Sequence, residues 1–294
     1  MPRPSSPRPS RMLAMLPVVV ALLQTLLLLP SHAQNPNFVW CPHTSNYTTT
    51  SQFKRNLDRL LANLSTLPTP DSPGHFHSFS TDGPDAAYGF VQCRGDVLPA
   101  DCATCLRRAA SVPAVVSHCP LGRVAAIRYE DCLLRYSDEP LLGVLNHGYF
   151  LMVWNTQNIT DRIPFNQRLT ELVTEITTAA AAGSSRFAVG VKNFSEFRNI
   201  YGLVECTMDL STRSCEQCLR DLTNHLPRGQ VAGSTLSASC FLKYDTSPFF
   251  ALSIVPPPPP PPLQPVLGPP PTSSTMVSLP ADGSGSNSRG KGPH

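Results

Sequence analysis

The cysteines are the residues of this chain best equipped for chemistry. In "CRGDVLPADCATC", Cys93–Cys105, three of them are spaced C-x8-C-x2-C. A C-x-x-C pair can ligate zinc, cycle as a redox dithiol, or form half of a disulfide framework. Zinc needs four reduced thiolate or imidazole ligands. A redox dithiol needs both cysteines free to pair with each other at a helix start. The choice therefore turns on the compartment, and the N-terminus speaks to that. Residues 1–11 carry three arginines and no acid, an apolar run follows from Met12 to Pro30, and "SHA" ends a small-x-small cleavage signature at Ala33. This order reads as a secretory signal peptide over residues 1–33. All ten cysteines follow it, and an even number in an oxidising environment reads as a disulfide framework rather than as zinc or redox chemistry.

Export also changes the charge. The formal +3 is carried by Arg3, Arg8 and Arg11 of the signal segment, so the mature chain is neutral. Neutrality gives no electrostatic footprint for nucleic acid or an anionic membrane surface. Four sequons, at Asn46, Asn63, Asn158 and Asn193, agree with export and are expected glycosylation sites. His75-Phe-His77 lies in a Pro/Gly/Ser-rich stretch without a nearby acidic or cysteine cluster and reads as solvated loop. Asp138-Glu139 reads as a solvated turn, and Trp40 and Trp154 as packing residues, with exposure of either one reopening a role in stacking on a sugar. The chain has no Gly-x-Ser-x-Gly, His-Glu-x-x-His, phosphate-binding glycine loop or kinase signature. No catalytic residue, metal ligand or cofactor is assigned.

The elements that must position the cysteines occur twice. "CTMDLSTRSCEQC", Cys206–Cys218, repeats the C-x8-C-x2-C spacing 113 residues after the first copy. "AYGFVQC" matches "IYGLVEC", and "CLLRY" (Cys132–Tyr136) matches "CFLKY" (Cys240–Tyr244). Upstream, Phe53, Leu57, Leu60, Leu61 and Leu64 fall on one helical face, as do Phe165, Leu169, Leu172, Val173 and Ile176. Such self-similarity means a duplicated domain. Each unit reads as a helix, a loop, a strand running into the motif, a second helix ("CLRRAASVPAVV", "CLRDLTNHL"), and closing β segments. In the first copy these are "GRVAAIRYEDCLLRYS" and "GYFLMVWN"; in the second, "TLSASCFLKYD" and "FFALSIV". The expected fold is α+β: two tandem repeats, each a small antiparallel sheet covered by two helices and stapled by disulfides. The boundaries read as repeat 1 over 34–157, repeat 2 over 158–255, and a polyproline spacer with a disordered tail over 256–294.

Two C-x8-C-x2-C units, each preceded by Tyr-Gly and followed by a cysteine just before an aromatic, resemble the plant ginkbilobin-type cysteine-rich repeats, or salt-stress-response/antifungal domain. The resemblance spans Asn37 to Val255. It implies three disulfides in a complete unit: Cys41–Cys119, Cys93–Cys102 and Cys105–Cys132 in repeat 1. Repeat 2, lacking counterparts of Cys41 and Cys119, would keep Cys206–Cys215 and Cys218–Cys240. The family prototype binds mannose through an Asn, an Arg and a Glu whose places hold Pro42, Ala126 and Ser137 in repeat 1. Repeat 2 keeps only an acid, Asp245, with Ser234 at the Arg position. Ala and Ser cannot replace a guanidinium and a carboxylate that hydrogen-bond sugar hydroxyls, so prototype-like mannose binding is expected to be lost. The resemblance implies a secreted, non-enzymatic binding protein of the apoplast, a soluble relative of receptor-kinase ectodomains in stress or defence signalling. A cell-wall glycan or a receptor ectodomain would be its partner, with no nucleic acid and no transmembrane segment after signal cleavage. The alternatives are an antifungal or carbohydrate-binding effector, or a truncated product of a membrane receptor-like kinase gene.

Overall fold

The computed structural model describes residues 35–42, 45–65, 76–146, 148–196 and 198–257. The expected signal peptide, His75, and all but the first two residues of the expected proline-rich segment lie outside them.

In the first repeat the order is β1 (Phe38–Trp40), α1 (Gln52–Ser65), β2 (Phe76–Ser80), β3 (Tyr88–Cys93), α2 (Pro99–Ala109), α3 (Val112–His118), β4 (Ala125–Arg128) and β5 (Cys132–Ser137). The second follows with β6 (Phe150–Trp154), α4 (Arg162–Ala182), β7 (Phe187–Ser195), β8 (Arg198–Cys206), α5 (Thr212–Asn224), β9 (Ala232–Ser237) and β10 (Cys240–Asp245). The strands form two antiparallel five-stranded sheets of the same topology, β1-β4-β5-β3-β2 and β6-β9-β10-β8-β7. The α+β fold with two repeats is thus the one the internal repetition implied.

Four readings of the sequence are corrected. Phe150–Trp154, assigned to repeat 1, pairs with β9 in the second sheet, so the sheet boundary precedes Phe150. Apolar alternation marks a strand but carries no information about which sheet receives it. "CLRRAASVPAVV" is two helices: Pro113 follows the break, and the Ser111 hydroxyl caps α3 by accepting from Ala114 N. Phe76 and His77 belong to strand β2 instead of a loop. "FFALSIV" forms no strand; it contains a single 3-10 turn, Leu252–Ile254.

Why the helices lie so close to the sheets is visible in the Tyr-Gly motif. A Cβ on Gly89 would sit 2.9 Å from Leu60 Cδ2, and one on Gly202 2.9 Å from Leu172 Cδ2. Glycine at this place lets the apolar stripes of α1 and α4 press onto the strand backbone. Both stripes are buried, Phe53 to Leu64 and Phe165 to Ile176.

The other face of each sheet packs against the other sheet. Phe38, Phe90, Ala126 and Leu133 of repeat 1 meet Val189, Leu203, Leu236 and Phe241 of repeat 2 in one apolar layer. Polar groups cross this layer and fix its register. Gln92 Nε2 donates to Cys206 O at 3.0 Å, and its Oε1 accepts from Met208 N at 2.8 Å. Glu205 is fully buried, accepting from Gly95 N at 3.0 Å and pairing with Arg128 at 3.2 Å. Burial pushes the Glu205 carboxyl up and the Arg128 guanidinium down, and each partner partly offsets the shift of the other.

Glu205→Ala leaves Arg128 charged and unpaired in this layer and is expected to cost about 3–5 kcal/mol, read as a lowered denaturation midpoint. The double replacement Arg128→Met, Glu205→Leu is expected to recover most of that loss. A single variant as stable as the parent would mean that the two charges are solvated.

Candidate functional site

The ten cysteines form five disulfides: Cys41–Cys119, Cys93–Cys102, Cys105–Cys132, Cys206–Cys215 and Cys218–Cys240. The C-x2-C pair lies on one helical face because residues three apart are neighbours there. Its two cysteines grip two adjacent strands: Cys102 holds the end of β3 and Cys105 the start of β5. Cys93 and Cys132 stand directly opposite each other across these strands, yet each reaches up to α2. The second repeat repeats the device, with Cys206 opposite Cys240 and both bonded to α5. The motif is a staple between helix and sheet, and none of its sulfurs is a free thiol.

The repeats differ at their first strand. Cys41–Cys119 ties the segment after β1 to the end of α3. Repeat 2 has no counterpart of α3, and the separation from C-x2-C to the last cysteine falls from 27 to 22 residues. The shorter connection of repeat 2 holds no counterpart of Cys119.

Of the prototype's sugar positions, Ala126 is wholly buried between the sheets. Pro42 and Ser137 are half-buried. Asp245 accepts from Ser247 N at 2.8 Å. Asp138 is half-buried and ion-paired to Arg123 at 2.6 Å instead of solvated, while Glu139 is exposed. His77 Nε2 lies 3.1 Å from Asn63 Oδ1, and burial lowers its pKa. These residues form no cluster.

Ser234 is different: it lies in a groove of about 230 Å³ where the two repeats meet. The groove is lined by Asn37 and Glu130 from repeat 1 and by Trp154, Asn155, Ser234 and Lys243 from repeat 2. Trp154 was expected to pack, but it is 52% exposed, whereas Trp40 is half-buried against the inter-sheet layer. Lys243 crosses to Glu130 at 3.1 Å and lies over the Phe249 ring. Glu130 also takes Arg94 at 2.9 Å and Asn37 Nδ2 at 3.3 Å, while Asn37 Oδ1 is buried with no hydrogen-bond partner. The Tyr244 hydroxyl lies 2.9 Å from Pro227 O and 3.3 Å from Gln230 O, two acceptors for its one hydrogen, and burial pushes its pKa up to about 12. An indole face, a carboxylate, an ammonium and amide groups on one wall can hold a ligand that combines C–H surface with hydroxyl or amide hydrogen bonds. Asn37, Glu130 and Lys243 were not singled out from the sequence. Only the basic residue inside "CFLKY" is marked there, by matching the Arg of "CLLRY".

The salt stress response/antifungal family model matches residues 40–139 and 154–247, once per repeat, and the chain belongs to that family. It is 33% identical to cysteine-rich receptor-like protein kinase 25 of Arabidopsis thaliana across 90% of its own length, but spans only 39% of that protein. An antimicrobial ginkbilobin-2-like protein of Castanea crenata is 33% identical over 76% of this chain and 94% of its own. Cysteine-rich repeat secretory protein 38 of Arabidopsis thaliana is 30% identical over 79% and 94%. The crystal structure of the tandem DUF26 ectodomain of the Arabidopsis thaliana cysteine-rich receptor-like protein PDLP8 superposes with a TM-score of 0.61 at 23% identity, covering 73% of this chain and 99% of that one. With its disulfide-rich repeats and secretory relatives, the chain is an extracellular, ectodomain-like protein.

Two predictions follow from this geometry. Cys41–Cys119 closes a 78-residue separation, for which chain entropy gives about 4–5 kcal/mol. C41S/C119S is therefore expected to lower the unfolding free energy by up to that amount. Hydrogen exchange should show the loss in repeat 1 first, and equal loosening of both repeats would contradict a local staple. The second concerns pH. Burial opposes the Glu130 charge, but Lys243 and Arg94 outweigh it and hold the carboxyl below its usual range. A depressed native pKa contributes stability above the unfolded value and loses it as pH falls through the native one. The stability difference between the parent and Glu130→Gln should thus be constant near neutrality and shrink below about pH 4, followed as thermal midpoints against pH.

Proposed function

We propose that this protein is a non-enzymatic binding protein of the apoplast that acts in stress or defence signalling. The junction groove is its ligand-contacting surface. What carries this reading is Trp154: a large aromatic exposed at the mouth of a groove whose polar wall comes from both repeats. About half of this indole is open to solvent beside a carboxylate and an ammonium, and aromatic residues are enriched where proteins grip partners. The groove is smaller than the roughly 300–1,000 Å³ of drug-sized ligand sites, which favours one sugar ring or one side chain of an ectodomain as the anchored group. Lacking the prototype's Arg and Glu partners, the groove would not reproduce the mannose contacts.

The test is a pull-down with the secreted protein from cell-wall extract, read against glycans and membrane ectodomains together, with Trp154→Ala alongside. Loss of at least tenfold in capture by the variant, with an unchanged thermal midpoint, is expected, and free mannose should not compete. Identical capture by parent and variant would remove the groove from the binding surface. The antimicrobial name of the Castanea crenata relative favours a second reading, a direct antifungal effector. Growth inhibition of fungi by the pure protein, abolished by Trp154→Ala, would favour it over signalling.

A further inference from the structure

The four sequons differ in the local structure that holds them, and two occupy the same place in the fold. Asn46 and Asn158 lie 112 residues apart, the displacement that relates α1 to α4. Each forms an isolated antiparallel bridge to the loop that enters the fourth strand of its sheet, Asn46 with Gly122 and Asn158 with Gln230. Both bridges use the same flanking hydrogen bonds. Tyr47 N donates to Leu121 O at 2.9 Å and Arg123 N to Ser45 O at 3.3 Å. Correspondingly, Ile159 N donates to Gly229 O at 2.9 Å and Val231 N to Gln157 O at 3.0 Å.

The loop beneath is held by the tyrosine that ends each "CLLRY" or "CFLKY". Tyr136 donates to Gly122 O at 3.1 Å, and the Tyr244 hydroxyl sits 3.3 Å from Gln230 O and 2.9 Å from Pro227 O of the same loop. The middle residue of each sequon, Tyr47 or Ile159, is buried, while the Asn and Thr on either side are exposed. Backbone and neighbours thus fix an outward-facing asparagine on a rigid base. Asn158 Oδ1 accepts from Arg162 at 2.8 Å, an exposed contact, and no backbone group is bonded to its amide nitrogen among the contacts of the described residues. Both sequons carry Thr in the third place, stiff at χ1, where the other two carry Ser.

Asn63 and Asn193 are employed by the fold. Asn63 is half-buried on α1 with its Oδ1 against His77 Nε2. Asn193 spends its amide nitrogen inside the β7–β8 hairpin, donating to Ser195 O at 2.8 Å and to Arg198 O at 3.2 Å. A glycan takes one of that nitrogen's two hydrogens, so a turn hydrogen bond is lost and a bulky group enters the hairpin.

We infer that Asn46 and Asn158 form a repeat-symmetric pair of N-glycan attachment sites and that Asn63 and Asn193 remain bare. In each transfer the asparagine Nδ2 forms a bond to C1 of an oligosaccharide carried on a lipid pyrophosphate. The C1–oxygen bond to the pyrophosphate breaks, the nitrogen gives up one proton, and the lipid pyrophosphate leaves. The inference rests on export of the chain, and the experiment separates the two.

The full chain is expressed with its own N-terminus in plant suspension cells, and glycopeptides are mapped by mass spectrometry after enzymatic deglycosylation in heavy-oxygen water. Mass tags are expected at Asn46 and Asn158 only. Asn46→Gln and Asn158→Gln should each remove one glycan's mass and the double variant all of it, while Asn63→Gln and Asn193→Gln change nothing. Thr48→Ala and Thr160→Ala repeat the first two losses without touching the asparagines. Protein in the medium that is bare at Asn46 or Asn158, or tagged at Asn63 or Asn193 to a similar extent, overturns the inference while export stands. Retention inside the cell without glycans overturns both.

Discussion

Each five-stranded sheet has two apolar faces and helices for only one of them. That constraint governs the molecule. α1 and α2 cover one face of the first sheet, α4 and α5 one face of the second, and the remaining two faces bury each other. A sheet of this size left half open would expose Phe90, Leu133, Leu203 and Phe241 to water, at roughly 1.5–3 kcal/mol for each side chain. Neither repeat completes its core without the other. The polar groups threaded through the layer follow from this. Main-chain groups of Cys206 and Met208 meet the Gln92 amide, and the Gly95 amide meets Glu205. Unpaired, each of these groups would cost more than its hydrogen bond contributes.

Within each repeat the disulfides settle a different question, how a short helix stays on its sheet. α2 has eleven residues, marginal as an isolated helix in water, and the loop before it departs from the end of β3. Two sulfur bridges on one helical face fix both its height and its rotation over β3 and β5. Because the strand cysteines are cross-strand partners, the staple also locks the register of those two strands. Repeat 2 keeps the same two bridges without a third, and it also lacks a counterpart of α3, the helix to whose end Cys41–Cys119 is tied.

Much of this was legible beforehand, for physical reasons that can be stated element by element. The helix faces from Phe53 and Phe165 repeat with the α period because one side of each helix is buried, and period survives in sequence. The pairing of the staples was legible only through the family resemblance, while repetition of the C-x8-C-x2-C spacing showed that the device occurs twice. What was not legible depends on contacts between segments distant in sequence. Phe150–Trp154 alternates like any strand, and only pairing with β9 assigns it to the second sheet. Phe76–Ser80 is an edge strand rich in Ser and His, so its composition resembles a loop. Nothing in "IYGLVEC" marks Glu205 as buried; its place becomes clear only when Arg128 arrives from the other repeat. The groove was hidden for the same reason, because Glu130 and Lys243 belong to different repeats.

The groove itself is a consequence of broken symmetry. In the first sheet Trp40 faces Ala126, so the β1 register continued by one residue sets Cys41 against Ala125. Ala125 stands seven residues before Cys132, and Gly233 stands seven before Cys240. Gly233 faces Trp154. By register, therefore, the indole occupies the place of the first repeat's Cys41. A sulfur there is drawn inward toward Cys119; the second repeat has no counterpart of α3, and the indole stands out from the edge strand. A Cβ on Gly233 would come within 2.9 Å of the Tyr244 ring, so the facing strand keeps its glycine and stays flat beneath the indole. Duplication alone would have given two identical stapled edges. The second repeat lacks that disulfide and instead carries an exposed aromatic beside a charged wall that both repeats supply, on one edge only.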